Sequence, residues 1–405
     1  MTMKFRFPAD ACGPACPACR SDATEVLFEV DGIPVHSCVL LDTAAAARAF
    51  PLGGMRLTAC RSCGFLFNAS FDPARLDYSE DYEETQGCSP TFRRWLDGVL
   101  VDLDERITLE GRTVLEVGCG RGDFLSLLCE RLRCRGIGVD PSGTAGRAEA
   151  AEGTDVSYLR AELGPEHADL GADLVACRHT LEHIGPVLDF LELTHDVARG
   201  RDAALFVEVP ETLRILREGA FWDVYYEHAS YFTEGSLARL AARAGFAVDD
   251  VWTTYADQYV QIFARAASRP AGAEGCPDDC DEIAEAIAGF QSACEGTIAV
   301  FHALLSDVRA RGERIALWGS GSKATAFLTT LDAADLVDAV VDINPAKHGR
   351  FVAGAGTEIV PPAALRDLAP QHVIVMNPIY VEEIGRDLAA MALSPQVHSL
   401  GAPPT

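Results

Sequence analysis

The stretch "RTVLEVGCGRGDFLSLL", residues 112–128, constrains this chain more than any other. A β-branched apolar run, Val114-Leu115-Glu116-Val117, enters a turn with glycines at 118, 120 and 122, and a helical pattern follows at Phe124, Leu125, Leu127 and Leu128. Strand, glycine turn and helix in succession open a parallel α/β unit, with the turn at the sheet edge where such folds hold a nucleoside. The glycines are spaced GxGxG. The dinucleotide fingerprint needs a glycine at 123, where Asp123 stands. Glu116 before the turn and Asp123 after it suit a cationic ligand better than a pyrophosphate, which a helix N-terminus otherwise attracts. "GIGVDPS" (136–142) supplies a second strand ending in Asp140, placed to accept ribose hydroxyls. "ADLVACRHTLEHIGP" (172–186) reads as another strand with His179 and His183 just past its carboxyl end. "ALFVEVP" (204–210) is the next, with Glu208 at its exit.

Three blocks surround this feature, a length that suits two or three domains. Residues 1–88 are rich in Cys, Pro and turn formers, residues 89–268 alternate strand and helix, and residues 269–405 follow the linker-like "SRPAGAEGCPDDC". The last block opens with a helical stripe, Ile283, Ile287, Phe290, Ile298, Phe301, Leu305 and Val308. It continues as strand, Gly319-x-Gly321 turn and helix in "RIALWGSGSKATAFL" (314–328), and "DAVVDINPAKHGR" again ends a strand in an acid, Asp342.

In the first block "CPAC" (Cys16, Cys19) and "CRSCG" (Cys60, Cys63) form two CxxC grips. Paired grips complete a closed tetrahedral site, so one structural Zn²⁺ is expected, although the gap between them exceeds the usual ~15–20 residues. The formal charge of −26 argues against nucleic acid and anionic membrane as partners. No apolar run approaches the ~18 residues of a span, and fourteen cysteines in a long chain fit a reducing, cytoplasmic setting.

"FWDVYYEHASYF" (221–232) sets Tyr225, Glu227 and His228 in one row among Phe221, Trp222 and Phe232, which read as wall. A histidine beside a carboxylate can take a proton near neutral pH, and a tyrosine hydroxyl can hold a developing oxyanion.

The ExGxGxG turn with Asp140 looks like the S-adenosylmethionine (SAM) site of class I methyltransferases, in preference to an NAD site. With the CxxC grips, "FNASFDPARLDYSEDYEETQ" (67–86), "HTLEHI", "YYEH" and the final glycine turn, the chain resembles, over nearly its whole length, three-domain C-methyltransferases of nucleotide-linked deoxysugars in antibiotic biosynthesis. The resemblance implies an α/β fold: a class I Rossmann-like core, a small N-terminal zinc-binding domain (1–88) and a C-terminal Rossmann-like substrate-binding domain. It implies SAM at Glu116, Gly118, Gly120, Gly122 and Asp140 with His179 nearby. It makes His228 the base, Glu227 its orienting partner, Tyr225 and His183 active-site members, and brings in Tyr78 or Tyr82. Lys323, Asn344, Lys347 and Asn377 would meet a phosphate or diphosphate. Removal of a proton beside a ketone and methylation of the enolate is the implied reaction, in a monomer or weak homodimer. Two positions depart from the pattern: "YADQYVQI" (255–262) stands where relatives carry a Gly-Gly pair, and His179 where they carry Asn. These imply a differently shaped pocket. N- or O-methylation of a non-sugar specialised metabolite is the competing enzyme reading; a zinc-organised SAM-binding module without turnover is the competing non-enzyme reading.

Overall fold

The computed structural model describes residues 5–8, 11–76, 82–83, 85–142, 146, 151–201, 203–266 and 276–401. Tyr78 lies outside the described residues. The described residues form three sheets.

The first sheet is antiparallel, with β1 (Phe5–Arg6), β2 (Thr24–Pro34), β3 (Leu52–Cys60) and β4 (Leu66–Asn68) in sequential order. Its alternation is plain in β2, where Val26, Phe28 and Val30 are buried and Glu25 and Leu27 less so. A fifth strand comes from far along the chain: Ser230–Tyr231 pairs with Phe67 and Leu66. The "YYEH" row is therefore anchored directly to the cysteine-bearing sheet.

The second sheet contains β5 (Thr113–Val117), β6 (Arg135–Val139), β7 (Val156–Leu159), β8 (Leu174–Arg178), β9 (Ala204–Pro210) and, after the two-residue strand just named (β10), β11 (Phe246–Thr254) and β12 (Tyr259–Ala266). The order is β11-β12-β9-β8-β5-β6-β7, parallel from β9 to β7 with an antiparallel β11–β12 pair. Strand order reverses beside β5, so the crevice at the carboxyl ends of β5 and β8 is the natural ligand position. Buried strands here are near-continuously apolar, as a sheet covered on both faces requires. Glu116, Glu208 and Gln261 are the buried polar exceptions.

The third sheet, β13 (Ile315–Trp318), β14 (Ala339–Val341), β15 (Ile359–Val360), β16 (His372–Val375) and β17 (Gln396–Ser399), is wholly parallel in the order β15-β14-β13-β16-β17. Both expected Rossmann-like units are present. The long helix Cys280–Ala310 precedes β13 and buries Ile283, Phe290, Ile298, Phe301, Leu305 and Val308; Ile287 is partly covered. One apolar core runs from Phe28 and Leu57 through Phe221 and Trp222 to Phe327 and Ile374 and joins the first sheet to the third, while a second joins Phe65 and Phe67 to Leu115, Val117 and Val207 of the second sheet. No described helix is long and apolar enough to cross a membrane.

Candidate active site

Each cysteine of the two grips has a partner from the other: Cys16 Sγ lies 3.8 Å from Cys63 Sγ, and Cys19 Sγ 3.6 Å from Cys60 Sγ. All four sulfurs fall within 4.8 Å of one another. Four ligands on ~2.3 Å bonds to a tetrahedral ion stand about 3.8 Å apart, so the donor set fits zinc. Burial lifts the Cys60 thiol to about 11, and its hydrogen-bonded neighbour Cys16, with burial, lifts Cys63 further. A bound cation would reverse both shifts.

At the glycine turn, Gly118 N–H donates to Val139 O at 2.8 Å, which closes β5 onto β6. Gly118 sits at φ +69°, and a Cβ there would fall 2.2 Å from Thr180 Oγ1. The turn thus admits only glycine at its first position. Gly120 N–H and Ser142 N–H donate to the two oxygens of Asp140, at 2.8 and 2.7 Å. Gly122 packs under the Tyr158 ring and caps the helix Asp123–Leu132. Glu116, at the carboxyl end of β5, is 3% exposed, and its Oε2 has no hydrogen-bond partner. Burial pushes its carboxyl up to about 8, against the pull of Arg178 and with the push of Asp140 and Asp123. An orphaned buried acid and a close-approach glycine turn fit a cationic nucleoside such as SAM.

Past β8 the chain brings four ionisable groups together. Arg178 donates to Glu208 at 2.6 Å. His179 Nε2 lies 3.0 Å from the same carboxylate oxygen, off line for a hydrogen bond, and its Nδ1 lies 3.5 Å from Glu182 Oε1. Gln261 also donates to Glu208. Burial would lower the His179 imidazole, but Glu182 and Glu208 lift it to about 9. Against its own burial, Glu208 is held at about 2 by Arg178 and His179.

The row at 225–228 is a turn between the one-turn helix Phe221–Asp223 and β10. Phe221, Trp222 and Phe232 are fully buried, the wall expected of them. Tyr225 lies over His228 with ring centroids 4.3 Å apart, and His183 meets His228 edge-on at 5.0 Å. Among the described residues neither nitrogen of His228 has a hydrogen bond. Burial, then the neighbouring His183, drive its imidazole down to about 3, so it is neutral.

Glu227 does not orient His228, contrary to what the resemblance implies. Its carboxylate accepts from His36 Nδ1 at 3.1 Å, from Ser37 N at 3.1 Å and from the Ser37 hydroxyl. Only its backbone oxygen touches the histidine pair, accepting from His183 Nδ1 at 3.0 Å. Adjacent side chains in this turn point to different partners, and the loop after β2 supplies those of Glu227. His36 and Ser37 were missed because no spacing or motif links "HSC" to a residue 191 positions on. Tyr82 lies edge-on to the His36 ring at 5.8 Å.

The four residues expected to meet a phosphate all have internal partners. Lys323 pairs with Asp223, whose other oxygen takes Arg214 at 2.7 Å. Lys347 lies 3.7 Å from Asp342. Asn344 donates to Glu83 at 3.2 Å, and Asn377 accepts from Gln258 at 2.9 Å. A phosphate would have to displace these contacts. Glu83 is itself a junction, since its second oxygen takes Arg121 of the glycine turn at 2.7 Å.

Two family descriptions match the chain: "Methyltransferase domain" over residues 91–251 and "C-methyltransferase C-terminal domain" over residues 281–394. C-methyltransferase NovU of Streptomyces niveus is 30% identical over 312 residues, 70% of this chain and 71% of that protein. The ubiquinone biosynthesis O-methyltransferase of Pseudomonas entomophila (strain L48) is 31% identical over 117 residues, 27% of this chain and 46% of that protein. Among solved structures, magnesium protoporphyrin IX methyltransferase from Synechocystis PCC 6803 with bound SAH aligns at a TM-score of 0.34 with 21% identity, covering 44% of this chain and 84% of that one.

Proposed function

The chain belongs to the C-methyltransferase family and is a SAM-dependent methyltransferase, and from that premise we propose that it methylates a carbon next to a ketone, on a nucleotide-linked keto-deoxysugar of antibiotic or other specialised-metabolite biosynthesis. The observation that carries the chemistry is a neutral, buried His228 under Tyr225 and beside His183, which lies on the one-turn helix after β8. Glu116, Gly118, Gly120 and Asp140 would hold the cofactor, and the cysteine set one structural zinc. The cysteine sheet pairs with β10 and so fixes the loop carrying the base.

His228 takes the acidic proton from carbon onto a bare ring nitrogen, and the C–H electron pair becomes the enolate. The Tyr225 hydroxyl, which burial keeps protonated, would donate to the enolate oxygen. Bound SAM supplies the electrophilic methyl that the carbon takes, with S-adenosylhomocysteine as the leaving product. Burial of the row excludes water from the carbanionic carbon.

One observation favours the competing acceptor class. Tyr255, Ala256 and Asp257 all take left-handed backbone, φ 56°, 54° and 57°, at a cost of about 1 kcal/mol or more each. This turn stacks Tyr255 on Tyr259 and brings it to Tyr380, filling space beside His179. A non-sugar acceptor of different shape would suit such a wall.

A panel of keto-sugar nucleotides incubated with enzyme and SAM separates the readings by mass spectrometry. One added methyl on a sugar carbon is expected, together with uptake of solvent deuterium at that carbon when the enzyme is loaded with S-adenosylhomocysteine. No methylated sugar and no exchange would favour N- or O-methylation.

A further inference from the structure

A base held neutral by burial needs an anion beside it once it gains a proton, and Glu227 is spent on His36 and Ser37. We propose that Glu182 is the positioning residue of the base: its carboxylate is the counter-ion of the His183–His228 pair, held in place by the charged chain Arg178–Glu208–His179. The proposal deepens the reading of His228 given above and rests on it.

Glu182 lies on the one-turn helix Leu181–His183 and is 2% exposed. One of its carboxylate oxygens, a nitrogen of His183 and a nitrogen of His228 all lie within 4.8 Å of one another. Its Oε2 is buried without any hydrogen-bond partner, a costly arrangement for a charged oxygen unless something later comes to it. The other oxygen, Oε1, lies 3.5 Å from His179 Nδ1. His179 adopts left-handed backbone, φ 49°, and in that conformation its ring stands between Glu182 and Glu208. Behind Glu208 comes Arg178, itself against the Phe124 face at 4.2 Å.

The signs alternate along this chain. Arg178 and a protonated His179 balance Glu208 and Glu182, so the buried group is neutral before reaction. The carboxylates hold His179 protonated up to about 9, and the His179 contact keeps Glu182 ionised despite its burial. Glu182 and Asp223 raise His228, against burial, His183 and His179. When the substrate proton reaches His228, its positive charge faces Glu182 and the enolate carries the matching negative charge. After methyl transfer the proton leaves His228 for solvent. Glu182 forms and breaks no covalent bond.

The test uses the full-length enzyme with ¹⁵N-labelled histidine, in wild type, Glu182→Gln, Glu182→Asp and His228→Asn. S-adenosylhomocysteine affinity in Glu182→Gln should stay within about twofold, which shows an intact fold. The His179 titration should fall by about one unit or more, and the His228 nitrogens should shift as its tautomers mix. With the keto-sugar nucleotide that wild type methylates, kcat should fall by about 30-fold or more with KM little changed, and Glu182→Asp should recover much of it. Unchanged His228 nitrogens and unchanged kcat in Glu182→Gln, with His228→Asn inactive, would overturn the counter-ion role and leave the base intact. Deuterium exchange surviving in His228→Asn would overturn the base itself. Activity that requires added Mn²⁺ or Zn²⁺ and is lost to a chelator would also overturn the proposal, by making Glu182, His183 and His228 metal ligands.

Discussion

After β5 and after β13 the backbone makes the same turn: Gly118 N–H donates to Val139 O and Gly319 N–H to Val341 O, each at 2.8 Å. Each second strand then ends in an acid, Asp140 or Asp342, that reaches back to the turn. The difference lies in what those acids have left to offer. Asp140 accepts two backbone N–H groups, and no cation pairs with it among the described residues. Asp342 accepts Ser320 N, the Ser320 hydroxyl at 2.6 Å and Asn344 N, and it also faces Lys347. Beneath the first turn lies Glu116 with an orphaned oxygen; at the matching place under the second is Leu317, wholly buried. A carboxylate has about four lone-pair sites, so Asp140 keeps capacity for ribose hydroxyls while Asp342 is nearly saturated. Two turns of one backbone shape thus differ in how far their polar atoms are saturated, and an unsaturated set has room for a ligand where a saturated one has not.

The hardest test of that contrast is a methyl group on each turn. Gly118→Ala drives a Cβ to 2.2 Å from Thr180 Oγ1 in left-handed backbone, whereas Gly319→Ala, at φ +111°, meets Met376 Cβ only at 3.2 Å. Calorimetry should show SAM affinity lost by about 100-fold or more in the first variant. In the second it should be unchanged, with strain costing roughly 1–2 kcal/mol of folding stability in urea titrations. Equal loss of SAM affinity from Gly319→Ala would break the comparison.

Asparagine at the two acids sharpens it. Asp342→Asn leaves the Lys347 ammonium buried without its counter-charge, and should cost about 2–3 kcal/mol of stability with SAM affinity untouched. Asp140→Asn should do the reverse, weakening SAM by roughly tenfold and moving the urea midpoint little.

Much of this was legible because it is local. The first strand, its glycines and Asp140 lie within one short run, and Gly319 with Asp342 repeats the pattern, so both turns could be read without knowing the fold. The cysteine grips carried their spacing in the same way. What made one turn open and the other closed was not local. Lys347 reads as a phosphate contact until it is seen buried beside Asp342, and Lys323 likewise until Asp223 is placed against it. The partner of Glu227 comes from the loop after β2, whereas the resemblance implies His228. Glu182 lies inside "HTLEHI" between two histidines, and no spacing singles it out from them. Periodicity and motif report the chain's neighbours in sequence, whereas charge pairing across sheets depends on how the three units dock.

The finest distinction between the turns is electrical, and pH reads it. Burial holds the Glu116 carboxyl at about 8, so near neutrality most of the cofactor-free enzyme carries it protonated. An acid raised above its unfolded value stabilises the fold below the ordinary carboxylate range and loses that contribution as pH rises through 8. A cationic ligand has the opposite preference, since it is drawn to the ionised form. SAM affinity should therefore climb about tenfold between pH 7 and 9, because roughly a tenth of Glu116 is ionised at pH 7. Over the same interval the stability of the cofactor-free protein should decline. Glu116→Gln should flatten the affinity profile and keep more stability at pH 9, which separates this residue from titration of the ligand's own amine. Leu317→Ala, the counterpart beneath the closed turn, should weaken the fold and leave the pH profile of SAM binding as it was. A profile that stayed steep in Glu116→Gln would mean that the open turn owes its selectivity for a cation to some other group, and Asp123 at the helix start would be the next to test.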